Sequence, residues 1–230
     1  MTIKAKKGVN IAGTDVTALQ TISGLSAVSS VLGTMEFPLN DAGTTKKATA
    51  SQINAFADPS SNGSAAAQTL GTGDTYLTDS VCTFDAGRLK AKSFYRCVMD
   101  MTKTGAGTAT AVITLRMGTL GTTSDAAICT FTFPSAQTAA ADNGIFEVYA
   151  NFRTVGSGTS ATVEGVLKIQ RTNTTTGFLS TSGLQFMAPI RVLSSGFNST
   201  TVTKIGISIN AGASSAWTTQ LVQADVKNLV

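Results

Sequence analysis

The chain has 230 residues and a formal net charge of +4, with 42% hydrophobic and only 13% charged residues. A domain of about 150 residues already buries roughly 70% of its unfolded surface, so this length accommodates one well-buried domain plus an appendage and leaves little room for two. With so few charges the surface must come from Thr, Ser, Gly, Asn and Gln, which suits strands and turns and disfavours helices, whose exposed faces are usually filled by Lys, Glu and Arg.

The charge does not make a nucleic-acid footprint, which needs Lys and Arg gathered on one face. Lys4, Lys6 and Lys7, then Lys46 and Lys47, come nearest to clusters, and the rest are scattered. No stretch approaches the roughly 20 apolar residues of a membrane-spanning helix, and Met1 to Asn10 lack the apolar centre of a secretory signal. The expectation is assembly in a cytoplasm, with neither nucleic acid nor membrane as a partner.

In chain order, Val16, Leu19, Ile22, Leu25, Val28 and Val31 recur every third residue. A helix turns 100° per residue, so this stripe winds around the axis and needs a partner surface to order it, unless a short helix folds back on its own domain. Met35 to Leu39 form a short apolar run, with a turn at Asn40 to Gly43. Residues 44–57 read as a strand entering a helix, because Thr49 and Gln52 have the spacing of a capping box ahead of Ile53 and Phe56. Residues 58–75, DPSSNGSAAAQTLGTGDT, have the composition of a flexible linker. The expected division is therefore a docking segment over 1–57, a linker over 58–75 and a domain over 76–230.

From Tyr76 onward, strand-like alternation takes over. Ala109, Ala111, Ile113, Leu115 and Met117 share one face of a strand over 108–117, and Ala127, Cys129, Phe131 and Phe133 share one face of the next. Further strands are expected at 76–84, 89–102, 184–193, 201–209 and 216–226. The segments 145–154 and 161–170 define a hairpin. Aligned with Thr154 opposite Ala161, they put Phe152 across from Val163, Val148 across from Leu167 and Phe146 across from Ile169, all on one side. The same register sets Glu147 across from Lys168 and Arg153 diagonal to Glu164, whereas a slip of one residue would turn the charges into the core. Many short strands without helical periodicity predict an all-β fold, a jelly-roll-like β-sandwich, with an immunoglobulin-like arrangement less favoured because no Cys, Trp and Cys series has the required spacing.

Chemistry is sparse. The chain has no histidine, which removes Ser-His-Asp and Cys-His nucleophiles and the commonest metal ligand together. Cys82, Cys97 and Cys129 form an odd set without CxxC spacing, and Cys97 and Cys129 fall on the apolar parity of their strands, which marks core thiols. All-β glycosidases need only two carboxylates. However, Glu147 and Glu164 stand four residues apart on the paired ladder, roughly 13 Å, beyond the ~5 to 9.5 Å such enzymes use. Asp79, Asp85, Asp100, Asp125 and Asp142 could meet only through separate loops. GTGDT at 71–75 and GAGT at 105–108 read as turns, because no helix with a following acid succeeds them. No DxDxDG calcium loop is present. Trp217 suits a core or subunit interface better than a sugar platform. No catalytic, cofactor-binding or metal-binding residue, and no cofactor, is assigned, and the chain is expected not to be an enzyme.

Residues 34–57, TMEFPLNDAGTTKKATASQINAFA, with the preceding VTALQTISG, resemble the N-terminal segment of tailed-bacteriophage fibre, head-fibre and capsid decoration-type virion proteins. That resemblance covers about the first 57 residues. It implies a virion structural protein that docks through its N-terminal part on phage capsid or tail proteins and projects a β domain, as a homo-oligomer and most often a trimer. A host surface glycan is the other partner to consider, through a carbohydrate-binding or carbohydrate-degrading receptor protein. Cytoplasmic assembly predicts unbridged thiols: after denaturation without reductant, alkylation should label all three cysteines in the mass spectrum, and an intrachain disulfide would refute it.

Overall fold

The computed structural model describes residues 60–172, 176–180, 187–201, 203–212 and 216–227, together with the backbone of four strands before them. The chain divides into two compact units, Met1–Ile53 and Asn54–Val230. In the first, β1 (Asn10–Ile11) pairs with β2 (Thr14–Asp15), and β3 (Glu36–Asp41) pairs antiparallel with β4 (Thr44–Thr49). Asp41 opposite Thr44 closes a tight hairpin where the sequence places its turn. The period-three stripe from Val16 to Val31 and the helix expected after Thr49 lie outside the described residues.

The second unit is an antiparallel β-sandwich. Its strands are β5 (Ser60–Ser64), β6 (Gln68–Thr69), β7 (Asp74–Tyr76), β8 (Cys82–Phe84), β9 (Phe94–Lys103), β10 (Val112–Gly118), β11 (Ala126–Thr132), β12 (Asp142–Thr154), β13 (Thr162–Arg171), β14 (Ile190–Leu193), β15 (Thr203–Asn210) and β16 (Trp217–Lys227). One sheet is seven-stranded in the order β14-β13-β12-β9-β16-β5, with β6 also on β16; the other is five-stranded in the order β11-β10-β15-β7, with β8 also on β15. The inward parities of both sheets bury one continuous core, including Tyr95, Cys97, Ile113, Leu115, Phe131, Phe146, Val148, Phe152, Leu167, Ile207 and Trp217.

The β12–β13 register is the one its two criteria select: Phe152 opposes Val163, Val148 opposes Leu167, Phe146 opposes Ile169 and Glu147 opposes Lys168. All six apolar side chains are buried. The end of the hairpin differs. The register shifts after Phe152, so Thr154 opposes Thr162, and Ala161 instead bridges Phe197 through paired backbone bonds of 3.1 and 3.0 Å. A second irregularity explains a misplaced face. Leu115 opposes Cys129 but Arg116 opposes Ala127, which leaves Ile128 as the extra residue of a bulge. Ile128 turns inward and Ala127, expected in the core, is exposed. Ala109 precedes β10 and is half-buried.

Of the expected linker over 58–75, the described residues from Ser60 onward are built into the sandwich. β5 is the last strand of the seven-stranded sheet, β6 pairs with β16, and β7 pairs with β15. The Asn62 side chain donates to the carbonyls of Thr78 at 3.2 Å and Val81 at 3.1 Å, tying this edge to the short 3₁₀ turn Thr78–Ser80. Leu70 is fully buried and its N–H meets the Trp217 carbonyl at 2.9 Å. An edge strand needs only one hydrogen-bonded side and no apolar alternation, so SSNGS reads like a connection while pairing like a strand. The boundary accordingly lies between Ile53 and Asn54.

At the opposite edge, Gly165 lets β11 approach β13: a Cβ there would stand 2.7 Å from Phe131 Cζ and 2.9 Å from Cys129 Sγ. Phe152, 1% exposed, packs edge-on against Phe197 at a centroid distance of 6.2 Å. Phe152→Ala should cost about 3–5 kcal/mol in denaturant unfolding, and a loss under 1 kcal/mol would show that this face is not core.

Candidate functional site

The groups that could carry chemistry are mostly occupied in holding the fold. All three cysteines are free and buried. Burial pushes the Cys97 thiol up to about 12 and the Cys129 thiol up to about 11, so neither is a nucleophile near neutrality. Trp217 is fully buried. In the GTGDT turn, Asp74 accepts from Arg116 Nη2 at 2.6 Å and from Ser208 Oγ at 3.2 Å. The Asp125 carboxylate receives the backbone N–H groups of Leu120, Gly121 and Thr122 and so closes the β10–β11 turn. Asp142 receives those of Asn143 and Phe178. Among the described residues no group of three or more His, Cys, Asp or Glu could hold a metal ion.

Glu147 and Glu164 both point outward from the seven-stranded sheet. Glu147 accepts from Arg96 Nη2 at 2.9 Å and from the Tyr149 hydroxyl at 2.8 Å, and the arginine bond holds its carboxyl below the usual range. Lys168, directly opposite Glu147, places its ammonium 4.9 Å from the centre of the Tyr149 ring, and the Arg96 guanidinium lies 5.8 Å from it. Glu164 is clamped by Arg153 and Arg191, which likewise lower its pKa. The ladder sets Asn151 opposite Glu164 and Lys168 opposite Glu147, so the two carboxylates are not a glycosidase pair. Arg96 and Tyr149 were not legible as partners of Glu147. The one available signal was an aromatic residue on the polar parity of β12.

A recess of about 340 Å³ lies beside this cluster, lined by Ile145, Glu147, Lys168, Gln170, Met187 and Pro189. On the five-stranded sheet the outward face is polar. Arg116 bonds Ser208 Oγ at 2.7 Å and the Asp125 carbonyl at 2.7 Å, and Tyr76 lies over Gly206, where a Cβ would come within 2.4 Å of its hydroxyl. Burial raises that phenol to about 12.

The end of the sandwich at Lys103, Asp142, Arg171 and Trp217 is built differently. The segments 104–111, 133–141, 172–189 and 211–216 contain no Asp, Glu, Lys or Arg. Charges from the strand ends beneath reach into them. Lys103, 3% exposed, donates to the carbonyls of Thr104 (3.1 Å), Ala106 (2.6 Å), Thr138 (2.8 Å) and Ala140 (3.1 Å). Desolvation draws this ammonium below the ordinary lysine value, and Asp142 opposes the effect. Arg171 Nη1 meets the Leu179 carbonyl at 3.0 Å. Gln137 donates to the carbonyls of Ala109 and Ala211 and accepts from Trp217 Nε1 at 2.7 Å. The result is a rim of uncharged loops on a fixed base, the arrangement in which recognition surfaces are commonly presented.

No family model matches the chain, and no curated protein matches it. Among solved structures, a legume lectin-like domain from Entamoeba histolytica is similar over 88% of this chain and 100% of that one, at 9% identity and a TM-score of 0.23. A likeness that slight carries nothing about chemistry.

Lys103→Met would strand four carbonyls and remove the donors that join two of the loops. It should destabilise the chain by about 2–4 kcal/mol, and denaturant unfolding showing no loss would mean that water satisfies the rim instead.

Proposed function

We propose that the chain is a virion structural protein of the tailed-bacteriophage kind, a capsid decoration or fibre, which anchors through its first unit, Met1–Ile53, and displays the sandwich. The observation that carries this reading is the placement of the sandwich's ends. Ser60, where the chain enters the sheet, pairs with Val226, and Lys227, its last described residue, pairs with Phe94. Entrance and exit therefore share one end. The uncharged rim occupies the other, beyond the Lys103–Trp217 pair.

Three features support it. The β3–β4 hairpin occupies the segment that resembles phage docking regions. That segment belongs to a compact unit separate from the sandwich. In the sandwich, Glu147, Glu164, Asp74, Asp125 and Asp142 serve ion pairs or backbone hydrogen bonds, as a mechanical and adhesive role requires.

Quantitative mass spectrometry of purified particles from cultures carrying the gene tests the proposal. Recovery of the chain at fixed stoichiometry supports it. Absence from the particles overturns it, and release of reducing ends from a glycan would point to the carbohydrate-acting alternative.

A further inference from the structure

The two outward faces of the sandwich differ in kind. The five-stranded sheet shows Thr130, Thr132, Arg116, Lys204 and Asn210, with Thr114 and Ser208 buried on the same parity. The seven-stranded sheet carries apolar side chains on its outward parity: Val98, Ile145, Tyr149, Val166, Leu193 and Leu221. Ile145 and Leu221 are 39% exposed and Leu193 is 63% exposed, and with Leu120 they are the large exposed apolar residues among those described. Apolar groups on one sheet face, interspersed with Tyr149 and with Arg96, Asp100, Glu147, Glu164 and Lys168, have the mixed composition of a non-obligate interface.

We propose that this face is the contact through which two copies of the chain associate, isologously, about a two-fold axis running along β12. The strand order makes β12 the middle of the five strands β14-β13-β12-β9-β16. One row across these strands reads Arg191, Val166, Tyr149, Arg96, Asp225. The cation at one flank and the acid at the other are each two strands from the centre. A half-turn about β12 exchanges the flanks, so Asp225 of each copy lies over Arg191 of the other. Tyr149 and Ile145, on β12 itself, meet their own counterparts near the axis.

Size and charge agree with this. Four strands of about ten residues rising ~3.3 Å each, with the four-residue β14 beside them, all about 4.8 Å apart, make a face of roughly 700 Å². A standard stable interface buries about 800 Å² per partner. Within each copy Glu147 is paired with Arg96, and Glu164 is held by both Arg153 and Arg191, so Glu164 keeps Arg153 when Arg191 turns to the other copy. The long Arg191 side chain, 67% exposed, can reach across at the flank. The contact does not depend on the virion reading, and its two-fold symmetry departs from the trimer that the phage resemblance implies.

Sedimentation equilibrium of the full chain tests the contact. A monomer–dimer equilibrium is expected, weakened at least ~10-fold by Ile145→Lys, an exposed change that leaves the core intact. Asp225→Arg should weaken it about as much, because a cation then faces Arg191 of the other copy. Circular dichroism confirms that each variant is folded. A monomer at every concentration, a trimer, or a dimer indifferent to Ile145→Lys or to Asp225→Arg overturns the proposal.

Discussion

The hydrogen bond from Trp217 Nε1 to Gln137 Oε1, 2.7 Å long and fully buried, is the point on which the sandwich closes. Trp217 opens β16 in the seven-stranded sheet, while Gln137 sits in the crossing from β11 of the five-stranded sheet to β12. The Gln137 amide spends its nitrogen on the carbonyls of Ala109 and Ala211, which lie beside the ends of β10 and β15. One side chain thus joins both sheets and three connections. Around the indole, Phe133, Phe146 and Phe178 stand with centroids at 5.7, 5.6 and 4.8 Å, the last two edge-on. The apolar cluster makes the site dry, and dryness makes the amide irreplaceable by water.

The other end is held by different means. Tyr95, buried in β9, donates to the Ser80 carbonyl at 2.8 Å, and Ser80 Oγ receives the Ile207 N–H at 2.8 Å. The 3₁₀ turn is therefore pinned between the sheets, and Asn62 fastens it to the edge strand β5. Polar side chains bridge the layers at the two ends while apolar packing fills the space between. Such an arrangement leaves the outward faces free to diverge, one polar and one bearing exposed Ile145, Leu193 and Leu221.

What the sequence made legible follows from locality. β12 and β13 are joined by a short loop, so the apolar parity and the charge pairing could be tested against each other, and both admitted a single register. The all-β class followed from alternation repeated strand after strand. Long-range partners left no such trace. Arg96 reaches Glu147 only because β9 lies beside β12, and Lys103 reaches Thr138 and Ala140 only because two loops converge. The bulge at Ile128 reversed one parity without any Gly or Pro to announce it. Residues 58–75 misled for another reason: an edge strand is stabilised by its backbone, and the side chains of SSNGS say nothing about that.

The three buried charges at the rim explain why its loops can do without any. The loops 104–111 and 133–141 are mostly Thr, Ser, Ala and Gly, offer little apolar surface beyond Phe133, and would otherwise meet the ordering cost of each residue with few contacts. Here the strand ends provide them. Lys103 and Asp142 face each other in the β9–β12 register, and Arg171 lies opposite Gly144 two residues along β12, so all three charges stand at the strand ends next to the loops. Each satisfies backbone groups instead of solvent: Lys103 carbonyls, Arg171 the Leu179 carbonyl, Asp142 the Phe178 N–H. The outer surface of the rim is then free to consist of hydroxyls, amides and methyls. With the charges buried, the described loop residues are tied from below by the strand ends and present an electrically quiet surface at the end away from Ser60.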